Sequence, residues 1–123
     1  MATILVVDNR SENLDLLAYL LGRAGHKVVT ALGGELGLAM ARELIPDLVL
    51  LDLHMPGLDG WELARRIRAD VDLKAIRLLA VSVGPAGEAE ALEAGCDGYF
   101  PMPFEPGDLF AAVAGLLTRD AVR

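Results

Sequence analysis

The chain has 123 residues, a length that suits one compact domain and leaves no room for a second. Hydrophobic residues make up 54% of it and charged residues only 24%, which excludes an intrinsically disordered segment and permits a sizeable core. A net charge of −7 repels nucleic-acid phosphates and anionic lipid, so we expect protein partners, no direct contact with nucleic acid and no membrane association.

The sequence carries no recognisable signal for export or membrane insertion. No run approaches the roughly 18 uninterrupted apolar residues of a membrane helix, and the N-terminus lacks the basic start and apolar stretch of a signal peptide. We therefore expect a cytoplasmic protein with one domain over residues 1–123. The single cysteine, Cys96, has no partner for an internal disulfide and no Cys or His at metal-ligand spacing, which predicts a small core or loop residue.

Apolar runs and helical periodicities alternate along the first half of the chain. Residues 3–7 form a short β-branched run, which predicts a strand buried on both faces. A helix is predicted over 11–24 from leucines at helical spacing, with Ser11 as its cap and Gly25 at its end. A strand at 27–31, a helix at 35–44 and a fully apolar strand at 48–51 follow, and the last of these ends at Asp52.

The same alternation continues through the second half. A helix is predicted over 60–69, because Asp59 as cap and Glu62 three residues later make a capping-box pattern. A strand at 76–81, a short weak helix at 86–94 and a short strand at 98–100 come next. The final predicted helix, 106–117, is amphipathic. Its inward residues are Leu109, Phe110, Val113, Leu116 and Leu117.

This order of elements predicts both an architecture and a site. Strand-helix alternation with short connections favours a parallel α/β sheet with helices on both faces, because crossovers are right-handed. Ligand chemistry in such sheets belongs at the carboxyl ends of the strands. Asp8, Asp52 and Ser82 all fall at predicted carboxyl ends, so we expect them at one edge.

The segment around Asp52 resembles a known family signature. Residues 51–60 read Leu-Asp-Leu-His-Met-Pro-Gly-Leu-Asp-Gly, which is similar to the third-strand motif of receiver domains in two-component response regulators. The resemblance extends from Ile4 to Leu117. It implies a flavodoxin-like, doubly wound (βα)5 parallel sheet with strand order 2-1-3-4-5, and a role in phosphorelay signal transduction.

The resemblance also implies a phosphorylation site. Asp52 would accept a phosphoryl group from a histidine kinase or a phosphotransfer protein. Magnesium would be held by Asp8, Asn9, Asp52 and the backbone carbonyl of His54. Such an ion suits the chemistry, because a hard, oxygen-bound cation neutralises the charge on the nucleophile and on the phosphoryl oxygens.

Two further residues match the family's switch pair. Ser82 stands where a hydroxyl binds a phosphoryl oxygen, and Tyr99 stands where an aromatic ring reports the phosphorylated state. The resemblance further implies a cis peptide between Met102 and Pro103, and a downstream effector protein as partner. A homodimer through the face of the fourth helix, fifth strand and fifth helix is another assembly that it allows.

Three departures from the family pattern predict impaired or atypical phosphorylation. Asn9 stands where the second acidic residue is usual, so magnesium should bind weakly. Met102 replaces the lysine before Pro103 and can neither pair with Asp52 nor hold a phosphoryl oxygen. Val83 is bulkier than the family prefers beside the serine, and the fourth helix is short, which affects phosphodonor access and the output face.

The two substitutions at the site balance each other in charge. Three aspartates with one lysine, or Asp8 and Asp52 with Asn9 and Met102, both give about −2 before metal binding. Loss of the lysine alone would leave an uncompensated, partly buried carboxylate, which is costly. Arg10 and His54 are the only basic residues predicted at this edge, and whether either reaches Asp52 stays open.

Each of these residues also has a purely structural interpretation. Asp52 could end a strand and cap a turn, Asp8 could be a loop cap, and Ser82 could cap the weak fourth helix. Tyr99 could pack at a sheet edge. Trp61, in the first turn of its helix, could be exposed for an interaction or simply packed.

Three functions are compatible with the sequence. The first is a receiver switched by phosphorylation, and the second is a receiver-like interaction module that works without phosphate. The third is a phosphohydrolase with Asp52 as nucleophile and Asp8 as acid or metal ligand. It lacks a further carboxylate, a leaving-group pocket and a cation, so we predict that the protein is not an enzyme.

Overall fold

Strands and helices alternate throughout the computed structural model, which describes residues 2–83 and 87–118. The strands are β1 (Thr3–Asp8), β2 (Lys27–Leu32), β3 (Leu48–Asp52), β4 (Arg77–Val83) and β5 (Gly98–Met102). The helices are α1 (Ser11–Arg23), α2 (Gly34–Leu44), α3 (Gly60–Ala69), α4 (Glu88–Ala94) and α5 (Pro106–Leu117). All ten predicted elements are therefore present, and those that differ do so only at their ends.

The five strands form one parallel sheet in the order β2-β1-β3-β4-β5. This confirms the predicted flavodoxin-like topology. The order reverses at β1 and β3, so the carboxyl ends of these two strands flank a crevice where ligands bind in open α/β sheets. Asp8 ends β1 and Asp52 ends β3.

The core has two layers because successive side chains of a strand point to opposite faces. On one face, Leu5, Val7 and Leu51 pack beneath α2, α3 and α4. On the other, Ile4 and Val6 pack beneath α1 and α5. Burial of one such apolar side chain stabilises the folded protein by about 1.5–3 kcal/mol relative to leaving it exposed.

Several element boundaries correct the sequence predictions. Ser11 does not cap α1, since Arg10 occupies the cap position and no side chain caps the helix. β4 and β5 continue to Val83 and Met102 because their backbones stay paired in register beyond the predicted ends. α4 begins at Glu88, and the predicted start at residue 86 lies outside the described residues.

Other local predictions are confirmed. The Asp59 carboxylate accepts a hydrogen bond from the Glu62 backbone N–H at 2.9 Å, so Asp59 caps α3. The Glu62 carboxylate pairs with Arg65 and Arg66, so the reciprocal half of the capping box is replaced by ion pairs. The Met102–Pro103 peptide is cis, as the resemblance implied. None of the helices in the described part of the chain is long and apolar enough to cross a membrane.

Arg68 fastens α3 to the amino-end side of the sheet, away from the crevice. Its guanidinium pairs with the Asp97 carboxylate at 2.8 Å, and the same carboxylate oxygen accepts the Leu78 backbone N–H. The guanidinium also donates to the backbone carbonyls of Lys74, Ile76 and Gly95. Nearby Cys96 is buried, and burial raises the pKa of its thiol to about 12, in keeping with the predicted core role.

Candidate phosphorylation site

Asp8 is almost fully buried at the end of β1, with 4% of its surface exposed. Its Oδ1 accepts the Arg10 backbone N–H at 3.0 Å. Its Oδ2 accepts the Asn13 side-chain amide at 3.3 Å. Both carboxylate oxygens are thus held by the first residues of α1 and the turn before it, so Asp8 points from the strand end towards that turn.

Asp52 is half-buried at the end of β3, and its Oδ1 accepts the His54 backbone N–H at 3.2 Å. Burial raises the pKa of its carboxyl above the ordinary value, and the negative charge of Asp8 raises it further. Backbone hydrogen bonds from His54 and Leu53, together with the charge of His54, act in the opposite direction. Asp8 and Asp52 therefore repel each other, a repulsion that a bound cation would relieve.

Ser82 lies inside β4, one residue beyond the position that pairs with Asp52. Only 2% of its surface is exposed, and its Oγ has no hydrogen-bond partner among the described residues. A buried hydroxyl without a partner is uncommon and usually has a reason, because it costs about 1–3 kcal/mol of desolvation. This supports a binding role for Ser82 over the alternative of a helix cap, since α4 starts only at Glu88.

The two β5 residues singled out by sequence face opposite sides of the sheet. Tyr99 is half-buried and packs against the layer under α2, α3 and α4. Met102 is half-buried and packs against the layer under α1 and α5, where Phe100 also lies. Met102 therefore adds apolar packing at the strand end where the resemblance leads one to expect a charged ammonium.

Neither candidate cation forms an ion pair with Asp52 in residues 2–83 and 87–118. Arg10 is exposed and contacts the site through its backbone N–H. His54 is also exposed, and its ring lies edge-on to Trp61 with ring centroids 5.1 Å apart. Trp61 is half-buried against the core, which supports its packing interpretation.

The expected metal donors at this edge are oxygen atoms. The candidates are the Asp8 and Asp52 carboxylates, the Asn9 side-chain amide and the His54 backbone carbonyl. No group of three or more His, Cys, Asp or Glu side chains able to hold a metal occurs in the part of the chain that the structure describes. Hard oxygen donors with only two charges fit magnesium, which keeps several of its waters, better than zinc.

The sequence prediction missed Asn13 as a contributor to this site. It lies in the first turn of α1, five residues after Asp8, and helical side chains lean towards the N-terminal end of their helix. A polar amide in the first turn after an acidic strand end was the available signal. The sequence predicted the other site residues, Asp8, Asp52 and Ser82, at one edge, and the topology brings them there.

Fold and strand-end chemistry together define a receiver domain, and comparison with known families agrees. The sequence matches the family described as "Response regulator receiver domain" over residues 4–114. The chain therefore belongs to the receiver domain family of two-component signalling.

Individual relatives sharpen this assignment. The chain is 36% identical over 119 residues to the alkaline phosphatase synthesis transcriptional regulatory protein PhoP of Bacillus subtilis, covering 97% of this chain and 50% of that protein. It is 35% identical to response regulator PleD of Caulobacter vibrioides, covering 94% of this chain and 26% of PleD. The chain thus spans half or less of the length of these two relatives.

Solved structures give the same assignment. A crystal structure described as a response regulator from Chloroflexus aurantiacus superimposes with a TM-score of 0.92 at 31% identity, covering 96% of this chain and 98% of that one. The receiver domain of sensor histidine kinase PA1611 from Pseudomonas aeruginosa has a TM-score of 0.89 at 23% identity and was solved with magnesium in its active-site cleft. At that identity the likeness shows the fold alone.

Proposed function

We propose that residues 1–123 form one cytoplasmic receiver domain in which Asp52 accepts a phosphoryl group from a histidine kinase or a phosphotransfer protein. The observation that carries this proposal is the position of Asp52, half-buried at the carboxyl end of β3 beside the buried Asp8. Phosphorylation would be weak or atypical because of Asn9 and Met102. The output would pass to an effector protein.

The transfer needs a carboxylate oxygen of Asp52 to attack the phosphorus of a phosphohistidine. A new phosphorus–oxygen bond forms as the phosphorus–nitrogen bond breaks, and the electron pair leaves with the imidazole nitrogen. The backbone N–H of His54 holds Asp52 in place. The Ser82 hydroxyl would donate a hydrogen bond to a phosphoryl oxygen, which would satisfy the hydroxyl that has no described partner.

Asp8 and Asp52 would hold magnesium, which would supply the positive charge that this transfer needs. Asn9 offers a neutral oxygen in place of a carboxylate, so the ion would be held less tightly than at a site with three acidic residues. No lysine or arginine of the described residues pairs with Asp52 to share this task. Weak metal binding and weak phosphorylation therefore follow from the same donor set.

The test is acceptance of a phosphoryl group or its beryllofluoride analogue in the presence of magnesium. We expect a small phosphodonor to add the mass of one phosphoryl group to the parent protein, and Asp52→Asn to abolish it. Asp47→Asn, a change at an exposed aspartate in the loop before β3, is the matched control. An equal mass gain in Asp52→Asn would refute the proposal.

A second candidate, an interaction module that works without phosphate, is favoured by one observation. Met102 is packed against the core where a charged contact to the phosphoryl group would be needed. For either candidate we place protein contacts, including a homodimer, on the face formed by α4, β5 and α5, where Leu92 is 47% exposed. Partner binding that is the same with and without beryllofluoride would favour the module.

A further inference from the structure

Asp8 is the only carboxylate left at the end of β1, because its neighbour is Asn9. Its orientation therefore matters more than it would beside a second acid. The Asp8 side chain is fixed at two points, by the Arg10 backbone N–H on Oδ1 and by the Asn13 amide on Oδ2. The first of these contacts is supplied by the backbone and would form with almost any residue at position 10. The second depends on the identity of residue 13.

The two hydrogen bonds leave Asp8 able to bind a cation. A carboxylate offers about four lone-pair sites, and these two donors occupy two of them. Both donors come from the α1 side, so they turn the remaining lone pairs away from α1. Asp52 ends the neighbouring strand β3, so the two carboxylates lie at the carboxyl ends of adjacent strands.

We propose that Asn13 is a positioning residue that orients Asp8 for a divalent cation. This inference rests on the proposed function, because it assigns a role within the same magnesium site. Asn13 acts through Asp8 and is not itself a ligand. Residues that hydrogen-bond a metal ligand in this way change metal affinity by about 10-fold to 100-fold when they are removed.

The alternative is that Asn13 only fastens the first turn of α1 to the sheet. A merely structural tie would affect stability and leave metal affinity unchanged. A single neutral hydrogen bond contributes about 0.5–1.5 kcal/mol to stability, so thermal unfolding without magnesium measures that part separately. The positioning role therefore predicts a change in magnesium affinity, whereas the structural role predicts a change in thermal stability alone.

The experiment is a magnesium titration of the parent, Asn13→Leu, Asn13→Gln and the control Ser11→Ala. Asn13→Leu keeps the same branched skeleton and removes the amide, whereas Asn13→Gln retains an amide donor. Ser11 lies in the same turn, is exposed and makes no capping bond. Fluorescence of Trp61, which contacts His54, and NMR shifts of the backbone amides of 8–10 and 52–54 report binding.

We expect Asn13→Leu to weaken magnesium binding by about 10-fold or more, Asn13→Gln to recover part of the affinity, and Ser11→Ala to match the parent. The same Asn13 variants are measured in an Asn9→Asp background, so a weak parent site does not limit the comparison. Equal affinities for Asn13→Leu and its parent would overturn the role of Asn13 and leave the proposed function standing. Absence of binding in both the parent and Asn9→Asp would overturn the proposed function as well.

Discussion

The carboxyl edge of the sheet has two unlike halves. At the ends of β1 and β3, Asp8 and Asp52 each accept hydrogen bonds from the protein. At the ends of β4 and β5, the Ser82 hydroxyl lacks a partner among the described residues and Met102 packs into the core. In the proposed function the first half would receive the phosphoryl group, and the second half carries Met102 in place of a charged side chain that would sense it.

This difference separates acceptance of a phosphoryl group from response to it. Acceptance depends on a nucleophile and a cation. In the proposed function Asp52 is the nucleophile, and Asp8 and Asp52 would hold the cation. Response depends on contacts that differ between two states of the protein, since a ligand shifts an equilibrium only by its differential contacts. A receiver can therefore be phosphorylated and still fail to switch.

The largest expected effect comes from rebuilding both halves together. We predict that beryllofluoride with magnesium moves the NMR signals around Tyr99 little in the parent, because Met102 cannot bind a phosphoryl oxygen and the response stops at the direct contact with Ser82. The double variant Met102→Lys with Asn9→Asp should show large shifts. Both changes are needed because the lysine alone makes the site less negative and the aspartate alone makes it more negative.

The control for this experiment is Met102→Leu with Asn9→Asp, which restores the acidic pair and keeps an apolar residue at the end of β5. We expect it to bind beryllofluoride without large shifts at Tyr99. Large shifts in the unmodified protein would mean that it switches without the lysine, and the idea of an uncoupled response would have to be dropped.

The next largest effect concerns only the half of the edge formed by the ends of β1 and β3. Asn9→Asp should raise magnesium affinity about 10-fold, because a carboxylate is a better ligand for a hard cation than an amide. Titration of Trp61 fluorescence measures it, with Ser11→Ala, a change at an exposed position in the neighbouring turn, as the control. If Asn9→Asp and the parent bind magnesium equally, residue 9 does not contact the ion.

A smaller effect should appear at Ser82 and have the opposite sign from a typical core mutation. Ser82→Ala removes a buried hydroxyl without a described partner, so we expect the free energy of unfolding to rise by about 1 kcal/mol. Phosphoryl acceptance should fall in the same variant. Chemical denaturation measures the first effect and intact mass the second. A destabilised Ser82→Ala would indicate that the hydroxyl is hydrogen-bonded in solution.

The fold could be predicted from the sequence because buried parallel strands are short apolar runs and the helices between them are periodic. The carboxyl ends of β4 and β5 could not be predicted, since the last residues of the two strands are paired through backbone register beyond Phe100. Pro101 and the polar Ser82 interrupt the apolar pattern there. The prediction that Ser11 caps α1 was also wrong. No side chain caps this helix, and in the turn before it the Asp8 carboxylate accepts a backbone N–H.

The site was predicted to the level of strand ends and no further. Asp8, Asp52 and Ser82 were expected at one edge, since topology alone places them there. Asn13 was not, because its contact with Asp8 depends on a side-chain conformation across the strand-to-helix turn. The opposite facing of Tyr99 and Met102 follows from strand alternation, but the apolar surroundings of Met102 depend on where α5 packs.

The smallest expected effect is a pH dependence of stability centred on Asp52. Burial and the charge of Asp8 raise the pKa of its carboxyl in the folded protein above the ordinary value of 3.8. Between these two pKa values the folded state binds more protons than the unfolded state, so Asp52 lowers stability as pH rises through this window. Above the folded pKa the destabilisation is complete, and below 3.8 it disappears.

Asp52→Asn should therefore be more stable than the parent at neutral pH without magnesium, and this advantage should vanish on acidification. Asp15→Asn, at an exposed position on α1, controls for the loss of one negative charge and should show no such advantage. Urea denaturation of all three proteins from neutral pH down to acid gives the comparison. A parent that gains stability relative to Asp52→Asn as pH rises would show that Asp52 is already stabilised as a carboxylate. The negative charges of Asp8 and Asp52 would then be compensated by other groups of the protein, and magnesium would not be needed to relieve the repulsion between them.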